Sequence, residues 1–368
     1  MDRRAETAAK LELARSWLER HQGEGLLLAS QANFAWATAG GHNHVALGGS
    51  EGVASVLVTA HEAYLCTNNI EHERILTEEA GQLPFTSLQW PWHQPELALE
   101  GINQVCSTER VVSDLGSFGL ALAAADLAEL RHTLLPPEVE RYRRLGADAA
   151  EALETAARQV EPGSRELDVA AQLAFECRKR DILDLVNLVA ADERIAHYRH
   201  PLPTPAPVSG MVIVVLTGRR HGLHASLTRM VSLGAADSEV VTRHHAVTRV
   251  DAREILESRP GVALSGVMLA GAQQYGAEGF PDEWRLHHQG GLTGYAGREV
   301  FATPDSHYRL RAGQALAWNP SITRVKSEDT VLLTDDGHEV LTRTGSWPEN
   351  EVTLPVGTMP RPAILEAG

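Results

Sequence analysis

The stretch HHQGGLTGYAGRE, from His287 to Glu299, sets two imidazoles against a double glycine, with a phenol and a charged pair behind them. Imidazole titrates near neutral pH, so either histidine could serve as a general base, and neutral imidazole is also a ligand for transition ions. The glycines permit close backbone approach and unusual dihedral angles, so His288 is expected to face a cleft while His287 packs or caps behind it. The run EWRLHHQGG keeps too many polar groups together for an ordinary core strand. Trp284 and Trp318 are expected to supply the apolar, partly dry surface that a small ligand needs. Further histidines stand at His197, His200, His221 and His224, where neighbouring strands could gather them.

Elements able to position these groups follow from periodicity. Residues 5–22 put Leu11, Leu13, Ala14, Trp17 and Leu18 near one helical face, and GLLLAS, ASVLVTA, EAYLCT and RVVSDLG read as short strands. The first 130 or so residues thus alternate in the manner of a small α/β domain. Pro136 and Pro137 then open a long amphipathic helix from Glu138 to about Gln159, since a proline N–H is not missed in a first helical turn. A second helix follows after Ser164. Beyond it, strand-like runs (DLVNLVA, GMVIVVLTG, ASLTRMVSLG, QALAWNPSI, DTVLLTDDGHEVLT) are separated by two more helices, SEVVTRHHAVTRVDAREILESRPG and SGVMLAGAQQYGAEG. The fold class expected is α+β, divided at residues 1–135 and 136–368.

Bulk properties narrow the function. The chain has 368 residues, 43% hydrophobic and 22% charged, which suits a folded globular protein. A net charge of -15 argues against nucleic acid or an anionic membrane as partner, because both need a basic face. Three cysteines (Cys66, Cys106, Cys177) without CxxC spacing fit a reducing compartment. The charged start MDRRAETAAK lacks an apolar core, and no window approaches the roughly 18 apolar residues of a spanning helix, so a cytoplasmic location is expected.

The order of landmarks LLPPEVERYRRLG, AHYRHP, GLHASLTRMV, HHQGGLTGY, LRAGQALAWNPSI and KSEDTVLLTDDGHEVLT resembles the creatinase, prolidase, aminopeptidase P and methionine aminopeptidase superfamily. SQANFAWATAGG is similar to that family's N-terminal domain. The resemblance implies a small creatinase-like α/β domain followed by a pita-bread catalytic-type domain. It also implies a homodimer, a small-molecule or dipeptide-sized substrate, and two divalent ions held by two aspartates, a histidine and two glutamates. Here those positions fall at Val215, Ser226, His288, Asn319 and Glu328. An alkyl group, a hydroxyl and an amide cannot neutralise two dications as carboxylates do, so no metal cofactor is expected.

Creatinase is the family's metal-free precedent, and its catalytic histidine matches His197; its substrate glutamates fall at Thr228 and Ser327, so creatine itself is not implied. His197 and His288 are then the general-base candidates, with Glu328 orienting an imidazole or a water. Arg199, Arg229 and Lys326 would bind an anionic group, Asn319 would donate to an oxyanion, and Tyr295 stands seven residues after His288, where relatives keep a second histidine. Three readings stay open: a metal-independent hydrolase or lyase of a small anionic C–N-bonded molecule, an Xaa-Pro dipeptidase or aminopeptidase with an atypical metal site, and a non-catalytic peptidase-like binding protein. Keeping so many polar groups at former catalytic positions favours a site in use.

Overall fold

A computed structural model describes residues 2–367. The chain divides into two compact units, one running to Glu138 with His221–Leu223 added, the other comprising Val139–Arg220 and the residues from His224 onward.

In the first unit, α1 (Arg3–His21) starts where the Asp2 carboxylate accepts from the Ala5 N–H. It is followed by β1 (Gly25–Ser30), α2 (Gln31–Ala37), β2 (Glu51–Thr59), β3 (Ala63–Asn68), β4 (Thr86–Trp90), α3 (Glu96–Val105), β5 (Val111–Ser113) and β6 (Ala121–Leu122). The strands form one mixed sheet in the order β4-β3-β2-β1-β5-β6. Leu27, Leu57, Cys66, Ile102 and Val111 pack together as part of its core. This is the α/β arrangement that the alternating pattern predicts.

In the second unit, α4 (Pro136–Arg158) opens on the proline pair and α5 (Glu166–Lys179) follows. Next come β7 (Leu183–Ala191), β8 (Met211–Arg220), β9 (Leu223–Leu233), α6 (Ser238–Glu257) and α7 (Leu264–Ala277). The Asp237 carboxylate caps α6 by accepting from the N–H groups of Glu239 and Val240. The remainder is β10 (Gly290–Thr293), β11 (Val300–Phe301), β12 (Gln314–Trp318), β13 (Ser321–Ile322), β14 (Val325–Lys326), β15 (Asp329–Leu333), β16 (His338–Val340), β17 (Glu349–Leu354), β18 (Gly357–Pro362) and β19 (Leu365–Ala367). Two main sheets result, ordered β19-β9-β8-β7 and β11-β10-β12-β15-β16. An isolated antiparallel bridge between Thr228 and Glu328 joins the middle of β9 to the segment before β15. Helix α6 packs against both sheets: Val247 and Val250 lie with Leu188, Ile213 and Val215, while Ile255 lies with Leu316, Trp318 and Val331. Each such side chain contributes about 1.5–3 kcal/mol when fully removed from water.

The double glycine has a steric reason. Gly290 and Gly291 have φ of 112° and 142°, and a Cβ on them would lie 2.1 Å from the Ala317 carbonyl and 2.2 Å from the Val300 carbonyl. Only residues without a side chain let β10 fit between β11 and β12. That fit fixes His288, two residues upstream. Among the described residues, no helix is long and apolar enough to cross a membrane.

Candidate active site

Three histidines meet in the second unit. His287 and His288 precede β10, and His200 lies on the loop after the short helix Glu193–His197. Their ring nitrogens all lie within 4.8 Å of one another. The closest pair is His200 Nε2 and His287 Nε2, 3.1 Å apart. His287 is buried and its Nδ1 is 3.3 Å from Ser321 Oγ; it is thus part of the cluster rather than packing behind it. Arg199 anchors the His200 loop by donating to Ser321 Oγ at 3.2 Å, to Glu283 Oε2 at 2.6 Å and to Thr323 Oγ1 at 3.0 Å.

Beside the imidazoles stands Glu328, whose side chain is buried. Its Oε2 accepts from Lys326 Nζ at 2.7 Å and from Thr228 Oγ1 at 2.8 Å, and its Oε1 lies 3.4 Å from an Arg298 guanidinium nitrogen. Burial alone would raise the pKa of this carboxyl, but Lys326, Arg298 and Thr228 outweigh it and hold the group below its ordinary range. The same cations act on the histidines. Burial, with Arg298 and Lys326 added, pushes His288 down to about 4, against an opposing pull from Glu328. Burial and Lys326 push His287 down to about 2. His200 is lowered by burial and Lys326 as well. All three rings are therefore neutral at pH 7, with lone pairs available.

The other expected site residues are distributed unevenly. Lys326 lines a small cleft with Tyr198, Arg199, Val215 and Ile322. Asn319 is buried beside β10, its N–H donating to the Gln289 carbonyl, and its Oδ1 has no hydrogen-bond partner among the described residues. Tyr295 is buried just past β10. His197 is exposed and stands outside the three-histidine cluster. Arg229 and Trp318, expected to line a substrate site, are committed to the interior instead. Arg229 donates to Asp329 Oδ1 at 3.0 Å and to the Thr342 carbonyl at 2.7 Å, with Glu154 at 3.4 Å. Trp318 packs into the core and donates its indole N–H to Ser258 Oγ. Strand alternation explains Arg229: Thr228 meets Glu328, so its neighbour Arg229 points to the opposite face. Arg298, His200 and His287 are the members that sequence reasoning left out of the site.

A two-ion clamp does not fit these residues. Val215 is packed among Leu188, Ile213, Ile322 and Val325. Ser226 Oγ is paired with Thr217 Oγ1 at 2.9 Å. Asn319 offers at most a neutral amide oxygen, and Glu328, the one acid left, is already neutralised by an ammonium and a guanidinium. A dication held by Glu328 would compete with those two cations for its single carboxylate.

The architecture and the placement of this cluster define a class of protein, and comparison with known proteins agrees. Residues 140–335 match metallopeptidase family M24, and the chain belongs to that family. It is 25% identical over 247 residues to a probable dipeptidase, PepE, of Mycobacterium bovis, a match covering 64% of this chain and 64% of that protein. The chain thus spans under two thirds of the length of the curated relatives it matches. Among solved structures, an Xaa-Pro dipeptidase from Bacillus anthracis superposes with a TM-score of 0.77 at 17% identity, over 92% of this chain and 98% of that one. A prolidase from Thermococcus sibiricus superposes with a TM-score of 0.78 at 16% identity, over 93% and 97%. The fold is the mixed α/β pita-bread fold that these proteins share.

Proposed function

We propose that this chain hydrolyses a C–N bond in a small, anionic, dipeptide-sized molecule, and does so without the paired ions used by its family. The chemistry is assigned to residues 136–368, with 1–135 as the creatinase-like accessory domain. The observation that carries the reading is the 2.7 Å contact of Lys326 Nζ with Glu328 Oε2, backed by Arg298. Fixed cations of the chain itself lie against Glu328, the one carboxylate kept among the positions that the resemblance implies. The relatives, a probable dipeptidase and an Xaa-Pro dipeptidase, support the class of bond.

In this reading Lys326 and Arg298 attract the carboxylate or other anionic group of the substrate and hold it in a partly dry cleft, where such contacts are stronger than in water. Neutral His288 takes a proton from water as its oxygen attacks the carbonyl carbon, and returns that proton to the nitrogen as the C–N bond breaks. Asn319 is assigned to donate an amide N–H to the developing oxyanion. Glu328 keeps Lys326 in place, and Arg199 keeps the His200 loop in place; both are positioning groups. The same reading takes the protein as a cytoplasmic homodimer, and a sedimentation mass of one chain would count against the dimer.

The test is hydrolysis of a panel of dipeptides and N-acylated amino acids by protein stripped with chelator, with metal content measured on the same sample. The expected result is turnover that chelator leaves unchanged and His288→Ala abolishes. Turnover that appears only after two equivalents of manganese, zinc or cobalt are restored would overturn it.

A further inference from the structure

The three-histidine cluster has more order than a proton acceptor needs. The ring nitrogens of His200, His287 and His288 converge within 4.8 Å, and the His200–His287 pair lies at 3.1 Å. Two nitrogens bound about 2.0–2.1 Å from one tetrahedral ion sit about 3.4 Å apart. The His200–His287 spacing is close to that value, and one nitrogen of His288 lies near enough to complete a set around a single centre.

The surroundings of His287 fix which nitrogen is available. Arg199 donates to Ser321 Oγ, so one lone pair of that oxygen is used. The other can accept from His287 Nδ1–H at 3.3 Å, which leaves the Nε2 lone pair directed at His200. Ligating histidines are commonly oriented in this way, through a partner on the second ring nitrogen. His200 is exposed, so the cluster is open to an ion arriving from solvent. None of the three needs the positions of Val215, Ser226 or Asn319.

We propose that His200, His287 and His288 form a mononuclear site for a nitrogen-preferring divalent ion of the zinc, cobalt or nickel class, sharing only the His288 position with the two-ion clamp of the family. Three imidazoles and an open fourth position are a recognised set for such ions, whereas manganese and magnesium favour oxygen. Lys326 and Arg298, opposed by the single charge of Glu328, direct an anion to the fourth position. Ion binding itself does not depend on the hydrolytic reading. Its consequence for turnover does rest on that reading: an ion on His288 occupies the lone pair that takes the proton, so it inhibits.

The experiment is titration of the full, chelator-stripped chain with Co²⁺, followed by visible absorption, with Zn²⁺ as competitor. One equivalent should give the absorption of a four-coordinate, nitrogen-ligated ion, displaced by Zn²⁺. His200→Ala, on an exposed loop, should weaken binding by at least about tenfold, and Ser321→Ala by about tenfold, the effect of removing an outer partner. Glu328→Gln should keep the same stoichiometry. Absence of the absorption, two equivalents bound, or undiminished binding in His200→Ala would each overturn the site. A site that forms as described while Zn²⁺ raises turnover leaves this inference standing and refutes the metal-independent hydrolysis.

Discussion

The Lys326–Glu328 pair can be weighed by a double-mutant cycle of Lys326→Met and Glu328→Gln. Both groups are buried, with the charged atoms 2.7 Å apart. At an effective dielectric of about 20 the attraction at that distance is about 6 kcal/mol. Desolvation of the ammonium opposes it, and Arg298 at 3.4 Å retains part of the compensation when Lys326 is gone. A coupling energy of about 2–4 kcal/mol is therefore expected, read from urea unfolding of the four proteins. The pH dependence has a definite sign. Glu328 is held below its ordinary value of 4.5, so its contribution is present above that value and is lost as pH falls through the lower folded value. Coupling should accordingly persist from pH 8 to about 5 and fade in acid. A coupling below about 0.5 kcal/mol at pH 7, or a Lys326→Met protein as stable as the parent, would show that the pair does not hold the site together.

Other consequences can be checked separately. Glu254 in α6 is buried, neither carboxylate oxygen has a partner among the described residues, and burial and Asp251 raise its pKa well above 4.5. Glu254→Leu should stabilise by about 1–3 kcal/mol at neutral pH, and because the parent loses stability as pH rises above 4.5, the gain in melting temperature should grow from pH 5 to 8; a constant gain would refute the assignment. Gly290→Ala must place a methyl 2.1 Å from the Ala317 carbonyl at positive φ, so a loss of more than about 3 kcal/mol, or no soluble protein, is expected, and an unchanged urea midpoint would refute the close fit. Burial raises Cys66 and Cys177 to about 12 and Cys106 to about 11, so native protein at pH 8 should resist alkylation while urea-unfolded protein reacts at all three; mass spectrometry reads both.

Much of the scaffold could be read from local chemistry. The proline pair announces α4, the run SEVVTRHHAVTR announces α6, and the apolar runs of β8 and β12 are strands where the pattern puts them. His288, Asn319, Lys326 and Glu328 are proposed as site residues because each sits within a motif of fixed spacing. Loop residues were harder: nothing local distinguishes His200 from His197 three positions earlier, yet only His200 reaches the cluster, because Arg199 ties that loop to Ser321, Thr323 and Glu283. Arg298 lies beyond the glycine strand and meets Glu328 only through tertiary folding. Arg229 carried a warning that position alone concealed, since its neighbour Thr228 takes the face that meets Glu328. Trp318 was assigned by proximity along the chain, whereas the core on its side of β12 claimed it.

The way Glu328 is compensated also bears on how such a pocket could change over generations. An aspartate placed at position 215 would be a lone anion among aliphatic neighbours, and one placed at 226 would meet the hydroxyl of Thr217. Loss of Lys326 would leave Glu328 leaning on a guanidinium 3.4 Å away. Each such change sets a buried charge in place before any ion is there to offset it, so single substitutions of this kind are expected to cost stability first.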